Sequence, residues 1–191
     1  MWKNIKGWYE NHFYNKEKAL REKYLDIKNH DVDINGTEFF LAKAMIPDIP
    51  EILGIERAVY GGQTPWDERA FRSELMRSDD RLYLVLRRND WLVAFIGCSW
   101  NFNTQDCHIT NVAVAPNFQN RGLGYFLVTT IIKKARQMEF NKVTLEVRMS
   151  NTRAQQLYKD IGFVEDGITK DYYFNDREDA LNMTMDITKI G

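Results

Sequence analysis

The sequence predicts an α/β fold in which one mixed sheet is flanked by helices. The predicted elements are several strands, then a strand–helix–strand–helix unit, then a final pair of strands, an order typical of such a sheet. The chain has 191 residues, of which 44% are hydrophobic, and this is enough for one domain with a buried core. A glycine-containing turn joins an apolar run at residues 109–114 to a long amphipathic pattern, as expected where a strand passes into a helix.

The first 36 residues are predicted as a helical N-terminal extension that ends in a linker, with the main domain at residues 37–191. Six apolar or aromatic residues of the extension recur at helical spacing: Trp2, Ile5, Tyr9, Phe13, Leu20 and Tyr24. This stripe predicts a helix packed against the chain's own domain, and a contact surface for a partner is the alternative. The mixed charge of the segment argues against a membrane-bound face. Residues 29–36 are interpreted as the linker.

Four helices are predicted in the main domain: residues 49–60, residues 65–77, from the glycine turn to about residue 138, and residues 151–161. The first has Asp48 and Glu51 at the spacing of a capping box. The second is opened by Asp67, with Pro65 in the first turn, where a proline costs little. The last is stopped by Gly162, at the position where a left-handed residue is needed.

Seven runs are predicted as strands: residues 37–44, 81–88, 91–102, 107–115, 142–148, 163–174 and 180–187. Asn89 and Asp90 provide the turn between the second and third of these strands. No internal repeat or low-complexity segment interrupts the pattern, so the strands are expected to form a single sheet.

Composition narrows the class of protein. A formal net charge of −1 and a sequence pI of about 6.3 argue against a nucleic-acid partner, because phosphate binding usually leaves a basic imbalance. Cys98 and Cys107 are the only cysteines, which fits free thiols in a reducing compartment. We find no signal peptide and no apolar run of about 18 residues, so a cytoplasmic protein without a membrane span is expected. His12, His30 and His108 have no metal-ligand spacing, and no metal site is predicted. The sequence does not determine the oligomeric state.

The glycine turn predicts a binding site for an anion. A helix N-terminus exposes unpaired N–H groups and the positive end of the helix dipole. Gly122 and Gly124 allow the backbone to approach a bulky phosphate, and Arg121 adds a positive charge. The spacing excludes the two common nucleotide-binding loops, because the Lys-Ser/Thr of one and the third glycine of the other are missing. Taken alone, glycines that only tighten a turn are an equally good interpretation.

Two longer motifs carry a resemblance to a known family. Residues 119–124, "QNRGLG", match the Gln/Arg-x-x-Gly-x-Gly/Ala signature of the Gcn5-related N-acetyltransferase superfamily, and residues 151–163, "NTRAQQLYKDIGF", match its Asn-x-x-Ala-x-x-Leu-Tyr-x-x-x-Gly-Phe signature. The resemblance extends from about Thr37 to Ile187. Within the superfamily the chain most resembles the bacterial ribosomal-protein alanine N-terminal acetyltransferases. The runs that carry this closer likeness are "TPWDERAF", "ITNVAVAPNFQNRGLG", "TLEVRMSN", "KDYYF" and "REDALNMTMDI".

The resemblance implies a mostly antiparallel central sheet with one splayed parallel pair of strands, here residues 109–115 and 142–148. It also implies that acetyl-coenzyme A binds in the gap between them as cosubstrate. A bulge in the first strand would free backbone groups for the pantetheine at Val112, Ala113 and Val114. The resemblance places the other cofactor contacts at Asn120, Arg121, Gly122, Leu123, Gly124, Tyr125 and Asn151.

The same resemblance supplies two catalytic candidates. Glu146 would by itself be interpreted as a solvent-facing residue of a half-buried strand, but the family has its general base at this position. Tyr158 would by itself be a core tyrosine, but the resemblance makes it the general acid that protonates the departing thiolate. Tyr172 and Tyr173 are expected either to line the acceptor cleft or to pack across strands.

The expected activity is acetyl transfer from acetyl-coenzyme A to an amine, and the favoured acceptor is the N-terminal alanine of a ribosomal protein. A small-molecule amine and a protein lysine are the alternative acceptors. A module that binds coenzyme A without catalysis and recruits a partner is a third possibility. The presence of both Glu146 and Tyr158 favours an enzyme.

Overall fold

The computed structural model describes residues 16, 18–62 and 64–188 of the chain. Its eight strands form one sheet in the order β1-β2-β3-β4-β5-β6-β8-β7. The strands are His30–Ile34 (β1), Thr37–Lys43 (β2), Arg81–Arg88 (β3), Trp91–Asn101 (β4), Asp106–Val114 (β5), Lys142–Arg148 (β6), Val164–Tyr173 (β7) and Glu178–Asp186 (β8). The helices with defined bounds are Ile49–Val59 (α1), Glu68–Leu75 (α2), Leu123–Gln137 (α3) and Thr152–Ile161 (α4).

Every neighbouring pair of strands is antiparallel except β5 and β6, which are parallel. The predicted mixed, mostly antiparallel sheet with one parallel pair is therefore confirmed. None of the helices within the described residues is long and apolar enough to cross a membrane.

The segment predicted as a linker is instead part of the sheet. Residues 30–34 form β1, which pairs antiparallel with β2, and Ile34 is buried in the core. Asn35 and Gly36 have φ angles of 54° and 78°, as in the two-residue turns that join hairpin strands. The alternation of Val32 and Ile34 and the Asn-Gly pair that follows are the sequence signals of this hairpin. The linker interpretation of residues 29–36 was wrong because it gave weight only to the polar composition.

The stripe predicted for the N-terminal extension is described only in part. Residues 18–24 are helical, whereas Trp2, Ile5, Tyr9 and Phe13 lie outside the described residues. Leu20 and Tyr24 are each 51% exposed, so the prediction that they pack against the domain is wrong for these two side chains. Leu25 is fully buried and joins the core instead.

Helix α1 begins at Ile49 as predicted, but its predicted capping box does not form because tertiary contacts use the same side chains. Asp48 and Glu51 form no capping box on α1; both accept hydrogen bonds from Arg87 of β3, at 2.6 and 2.8 Å. In α2 the predicted Pro65 lies ahead of the helix, which begins at Glu68. Asp67 is its N-cap and accepts a hydrogen bond from the backbone of Ala70 at 2.8 Å.

The sheet has a separate apolar core on each face. Alternation along the central strands separates them: Leu82, Leu84 and Leu86 of β3 face one core, and Tyr83 and Val85 face the other. Helices α3 and α4 cover the first face, and α1 and α2 cover the second. We call these the α3–α4 face and the α1–α2 face.

A bulge interrupts β5 at the middle of the sheet. Gly97 of β4 pairs with Asn111 and the next residue pairs with Ile109, so Thr110 is an extra residue in β5. A Cβ on Gly97 would lie 2.2 Å from the ring of Tyr83, so only glycine fits at this position. The bulge reverses the direction of every side chain that follows it, because the strand period is two residues.

The bulge coincides with the end of the parallel pairing. Strands β5 and β6 are paired from Asp106 and Lys142 up to Ile109 and Leu145, and no further. Beyond these residues the two strands diverge. The sheet is therefore open between β5 and β6 at its centre, as the resemblance implied.

Candidate active site

A cavity of about 600 Å³ lies where β5 and β6 diverge. Its wall includes Glu56, Tyr60 and Trp66 from the α1–α2 layer and Tyr158 from helix α4. Since these two layers cover opposite faces of the sheet, the cavity passes through the gap between the strands. Such a cavity can bring two ligands together from opposite faces.

Glu146 is held in this cavity by two side chains. It points to the α1–α2 face because its neighbours Leu145 and Val147 point into the opposite core. The Nε2 atom of His108 lies 3.1 Å from Oε2 of Glu146, and the hydroxyl of Tyr172 donates to the same oxygen at 3.2 Å. Burial raises the pKa of Glu146, but the hydrogen bonds and charge of His108, together with Tyr172, outweigh burial and hold the pKa below its ordinary value.

His108 links Glu146 to two further polar side chains. Its Nδ1 atom lies 2.9 Å from Oγ1 of Thr144, and this hydroxyl donates to Asp106 at 3.0 Å. Both ring nitrogens therefore lie within hydrogen-bond distance of a side-chain oxygen. The arrangement is a row of alternating donors and acceptors that fixes the Glu146 carboxylate.

Tyr172 and Tyr173 form one wall of the cavity. Their ring centres are 5.0 Å apart in an edge-to-face arrangement. The guanidinium of Arg148 lies 3.9 Å from the ring centre of Tyr173 and donates to Asp176 and Glu178, each at 2.7 Å. Burial, and then the charge of Glu146, raise the pKa of Tyr172 to about 12, so its hydroxyl keeps its proton. Arg148 thus ties β6 to the β7–β8 turn that carries this wall.

Tyr158 enters the cavity from helix α4. The ring is 5% exposed and packs edge-to-face on Phe163, with ring centres 5.8 Å apart. Burial, together with Tyr60 and Tyr173, raises the pKa of Tyr158, so the hydroxyl is protonated at neutral pH. Asn151 also lines the cavity, and its side chain caps α4 by accepting from the backbone of Ala154 at 3.1 Å. Tyr158 can therefore supply a proton, and its ring is fixed by packing.

The glycine turn lies at the N-terminus of α3. Gly122 has a φ of 87°, a left-handed conformation, and a Cβ there would lie 2.7 Å from the side chain of Asn35. Gly124 is in the first turn of the helix, where a Cβ would make ordinary contacts with Leu157 at 3.5 Å. Gly122 is thus required by the turn itself, whereas the surroundings of Gly124 would accept a small side chain.

Positive charge surrounds this turn. The guanidinium of Arg121 lies 5.3 Å from the ring centre of Phe118, and Arg153 of α4 donates hydrogen bonds to Asn120 and to Gln119. Two arginines and the exposed N–H groups of a helix N-terminus suit a pyrophosphate, which carries negative charge on several oxygens. The residues at this turn therefore fit the anionic part of coenzyme A.

The backbone between the bulge and the glycine turn belongs to β5. Val112 lines the cavity, Ala113 is buried in the α1–α2 core, and both pair with β4. The carbonyl oxygen of Val114 accepts a hydrogen bond from the side chain of Gln119 at 3.1 Å. Because β6 has diverged here, this stretch of β5 has an edge that is open to a ligand.

The structure divides the predicted site residues into two groups. One group lines the cavity: Val112, Glu146, Asn151, Tyr158, Tyr172 and Tyr173. The other lies along the end of β5 and the start of α3: Ala113, Val114, Asn120, Arg121, Gly122, Leu123, Gly124 and Tyr125.

Two residues of the cavity wall, His108 and Glu56, were not identified as site residues from the sequence. His108 was considered as a possible metal ligand with His12 and His30, and its link to Glu146 depends on the parallel pairing of His108 with Thr144. Glu56 looks like an ordinary helix residue, and no sequence pattern marks it.

Comparisons with known proteins agree with this geometry. Residues 48–163 match the model of the acetyltransferase (GNAT) family. A relative from Escherichia coli (strain K12), named [ribosomal protein bS18]-alanine N-acetyltransferase, is 32% identical over 143 residues, which cover 74% of this chain and 93% of that protein.

Two solved structures show the same fold. The crystal structure of the ribosomal-protein-S18-alanine N-acetyltransferase from Escherichia coli has a TM-score of 0.70 at 29% identity and covers 80% of this chain and 96% of that one. The PaiA N-acetyltransferase from Thermoplasma acidophilum, solved in complex with coenzyme A, has a TM-score of 0.66 at 15% identity and covers 78% of this chain and 99% of that one. The second likeness concerns the fold alone.

Proposed function

Because this chain belongs to the GNAT acetyltransferase family and is an acetyl-CoA-dependent N-acetyltransferase, we propose that its acceptor is the N-terminal alanine of a ribosomal protein. The observation that carries the proposal is the Glu146 carboxylate, fixed on the α1–α2 face of an opening that passes through the sheet. The name of the Escherichia coli relative supports the choice of acceptor. We place the activity in the cytoplasm, since Cys98 and Cys107 are free thiols.

The two groups of site residues suggest separate entrances for the two substrates. The glycine turn and its arginines lie with α3, on the α3–α4 face, and would hold the pyrophosphate. The open edge of β5 at Val112 leads from there to the cavity. When bound, acetyl-coenzyme A supplies an acetyl group activated as a thioester. The acceptor then enters from the α1–α2 face, where Glu146 and Tyr172 lie.

Glu146 is the general base of this proposal. An N-terminal amine has a pKa of about 8 and a lysine amine one of about 10.4, so the N-terminal amine costs roughly 3 kcal/mol less to deprotonate at neutral pH. Because the pKa of Glu146 is lowered, the carboxylate is ionised at neutral pH and is a modest base. A modest base, acting directly or through water, suits an N-terminal amine better than a lysine.

Tyr158 is the general acid. Its hydroxyl is protonated, its ring is fixed against Phe163, and it approaches the gap from the side opposite to Glu146. The base and the acid therefore lie on opposite sides of the opening. This arrangement suits direct transfer, in which the amine gives up a proton on one side and the thiolate gains one on the other.

An acetylation assay on matched peptides tests the proposal. The peptides are one that starts with alanine and one of the same length that is blocked at its N-terminus and contains a lysine. We expect acetylation of the first only. Acetylation of the blocked peptide, or of small amines in preference to both, would favour the alternative acceptors. Coenzyme A binding with no transfer to any amine would favour a non-catalytic module.

The pH dependence of Glu146→Gln tests the base. The variant should lose most activity at low pH, where the acceptor amine is protonated and needs the base. The gap to the wild type should narrow as the pH approaches the pKa of the amine, about 8 for an N-terminus. A ratio of kcat/KM values that does not change with pH would contradict the role of Glu146.

A further inference from the structure

Glu56 is a buried carboxyl group in the wall of the active-site cavity that none of the roles above uses. It belongs to the last turn of α1, on the α1–α2 face, and is 2% exposed. Its Oε2 atom is buried and has no hydrogen-bond partner. An unpaired carboxyl oxygen of this kind destabilises the fold, because burial removes its hydrogen bonds to water and no protein group replaces them.

The position of Glu56 is fixed by the backbone. Its other oxygen accepts a hydrogen bond from the N–H of Trp66, in the segment that joins α1 to α2. Tyr60, one turn further along, lines the same cavity. The carboxyl group is thus held from one side, and its second oxygen is left without a partner.

A cation would complete this arrangement. Within residues 18–62 and 64–188, no lysine, arginine or histidine forms an ion pair with Glu56. Arg148, the arginine of the cavity wall, is already paired with Asp176 and Glu178. Burial raises the pKa of Glu56 to about 7, which is the behaviour of a carboxyl group that lacks a cationic neighbour.

We propose that Glu56 anchors the N-terminal ammonium group of the acceptor, whose N–H donates to the free Oε2 atom. The inference rests on the proposed function, because it takes the α1–α2 side of the cavity as the acceptor entrance. An ammonium group has three N–H bonds, so it can donate one to Glu56 and lose the proton of another toward Glu146. The neutral amine that remains keeps its hydrogen bond to Glu56 and carries the lone pair that attacks the thioester.

This role predicts selectivity for a free amine at the stage of binding. Neutral compounds of the same shape would leave the carboxyl group without its partner, and blocked N-termini would do the same. Hydrogen bonds to charged groups of this kind change affinity by roughly 10- to 100-fold. The effect should fall on the KM for the acceptor, with a smaller change in kcat and none in the affinity for acetyl-coenzyme A.

The test is a double-mutant cycle that uses the acceptor amine as one of its two groups. The proteins are the full-length wild type and Glu56→Gln, saturated with coenzyme A. The probes are an alanine-starting peptide and the same peptide with a propanoyl group in place of that alanine, which lacks only the amine. Calorimetry should show that the wild type prefers the amine peptide roughly 10- to 100-fold. The variant should lose this preference and bind the propanoyl peptide as the wild type does.

Matched variants separate recognition from folding. Glutamine keeps an oxygen for the Trp66 N–H, so Glu56→Gln should unfold at a temperature no lower than the wild type. Glu51→Gln changes another glutamate of α1, which pairs with Arg87 and lies outside the cavity, and should leave the KM unchanged. Glu56→Asp keeps the charge and should restore part of the preference.

The results of these experiments distinguish a failure of the Glu56 inference from a failure of the proposed function. Unchanged preference and KM in Glu56→Gln, with a wild type that acetylates the alanine-starting peptide, would overturn the inference alone. Equal loss of affinity for both peptides would overturn it as well, because that result indicates a structural role. A wild type that does not acetylate the alanine-starting peptide would remove the proposed function, and this inference with it.

Discussion

Glu56 also predicts how the stability of the protein depends on pH. Burial raises the pKa of Glu56 from an ordinary value of 4.5 to about 7, with the Trp66 N–H opposing this only in part. The difference of about 2.5, at about 1.4 kcal/mol for each pKa unit, corresponds to about 3–4 kcal/mol of unfolding free energy. The protonated form is favoured in the fold. The stability it provides is therefore complete below pH 4.5, is lost as the pH rises toward 7, and stays lost above that.

Glu56→Gln removes this titration and keeps the shape of the side chain. The measurement is the free energy of unfolding of both proteins by urea, without ligands, at about pH 5 and about pH 8. At each pH, the free energy of unfolding of the wild type is subtracted from that of the variant, which cancels the contributions of the other titrating groups. This difference should be more positive by about 2–3 kcal/mol at the higher pH, because only the wild type loses stability as the pH rises.

Glu51→Gln is the control of opposite sign. Burial raises the pKa of Glu51, but the hydrogen bond from the backbone of Leu92, and then Arg87, outweigh it and lower the pKa. Its carboxylate therefore stabilises the fold, and this contribution is complete above pH 4.5 and is lost as the pH falls below that value. The same subtraction should therefore be nearly flat between about pH 5 and about pH 8, and should move against this variant with rising pH only below pH 4.5. If the difference in unfolding free energy between Glu56→Gln and the wild type does not change with pH, Glu56 has its ordinary pKa in the fold. The reasoning from its burial would then be refuted.

Three further changes test the other parts of the site. Gly124→Glu should abolish acetyl-coenzyme A binding in calorimetry, because it places a negative charge at the helix N-terminus, while Gly124→Ala should fold and bind; native affinity in Gly124→Glu would exclude the pyrophosphate site. Tyr158→Phe should lower kcat by about 10²- to 10⁴-fold with little change in acetyl-coenzyme A affinity, and native turnover would return Tyr158 to a packing role. His108→Ala should shift the acid limb of the kcat/KM profile to higher pH, because burial would then raise the pKa of Glu146 with only Tyr172 and a backbone hydrogen bond opposing it; an unmoved limb would contradict the link.

Local sequence signals predicted a helix and its caps correctly where no tertiary contact competes for the capping side chains. Helix α4 begins at an asparagine cap and ends at a left-handed Gly162 with a φ of 117°, as its sequence predicts. Helix α1 begins at Ile49 as predicted, but the capping box predicted from Asp48 and Glu51 was wrong because a contact with a distant residue uses both side chains. The carboxylates of Asp48 and Glu51 bind Arg87, which is more than 30 residues away and cannot be identified from spacing.

The sequence by itself determined the mixed sheet, the glycine turn before α3 and, through two motifs, the family and its cosubstrate. Only the tertiary structure decided which side chains meet in the cavity. His108 reaches Glu146 because β5 and β6 run parallel, and Glu56 enters the cavity because α1 packs over the gap between them. Strand pairing and helix packing join residues that are far apart in the chain, and the burial and hydrogen bonds they create together set the pKa of each carboxyl group. No pattern within one segment carries that information.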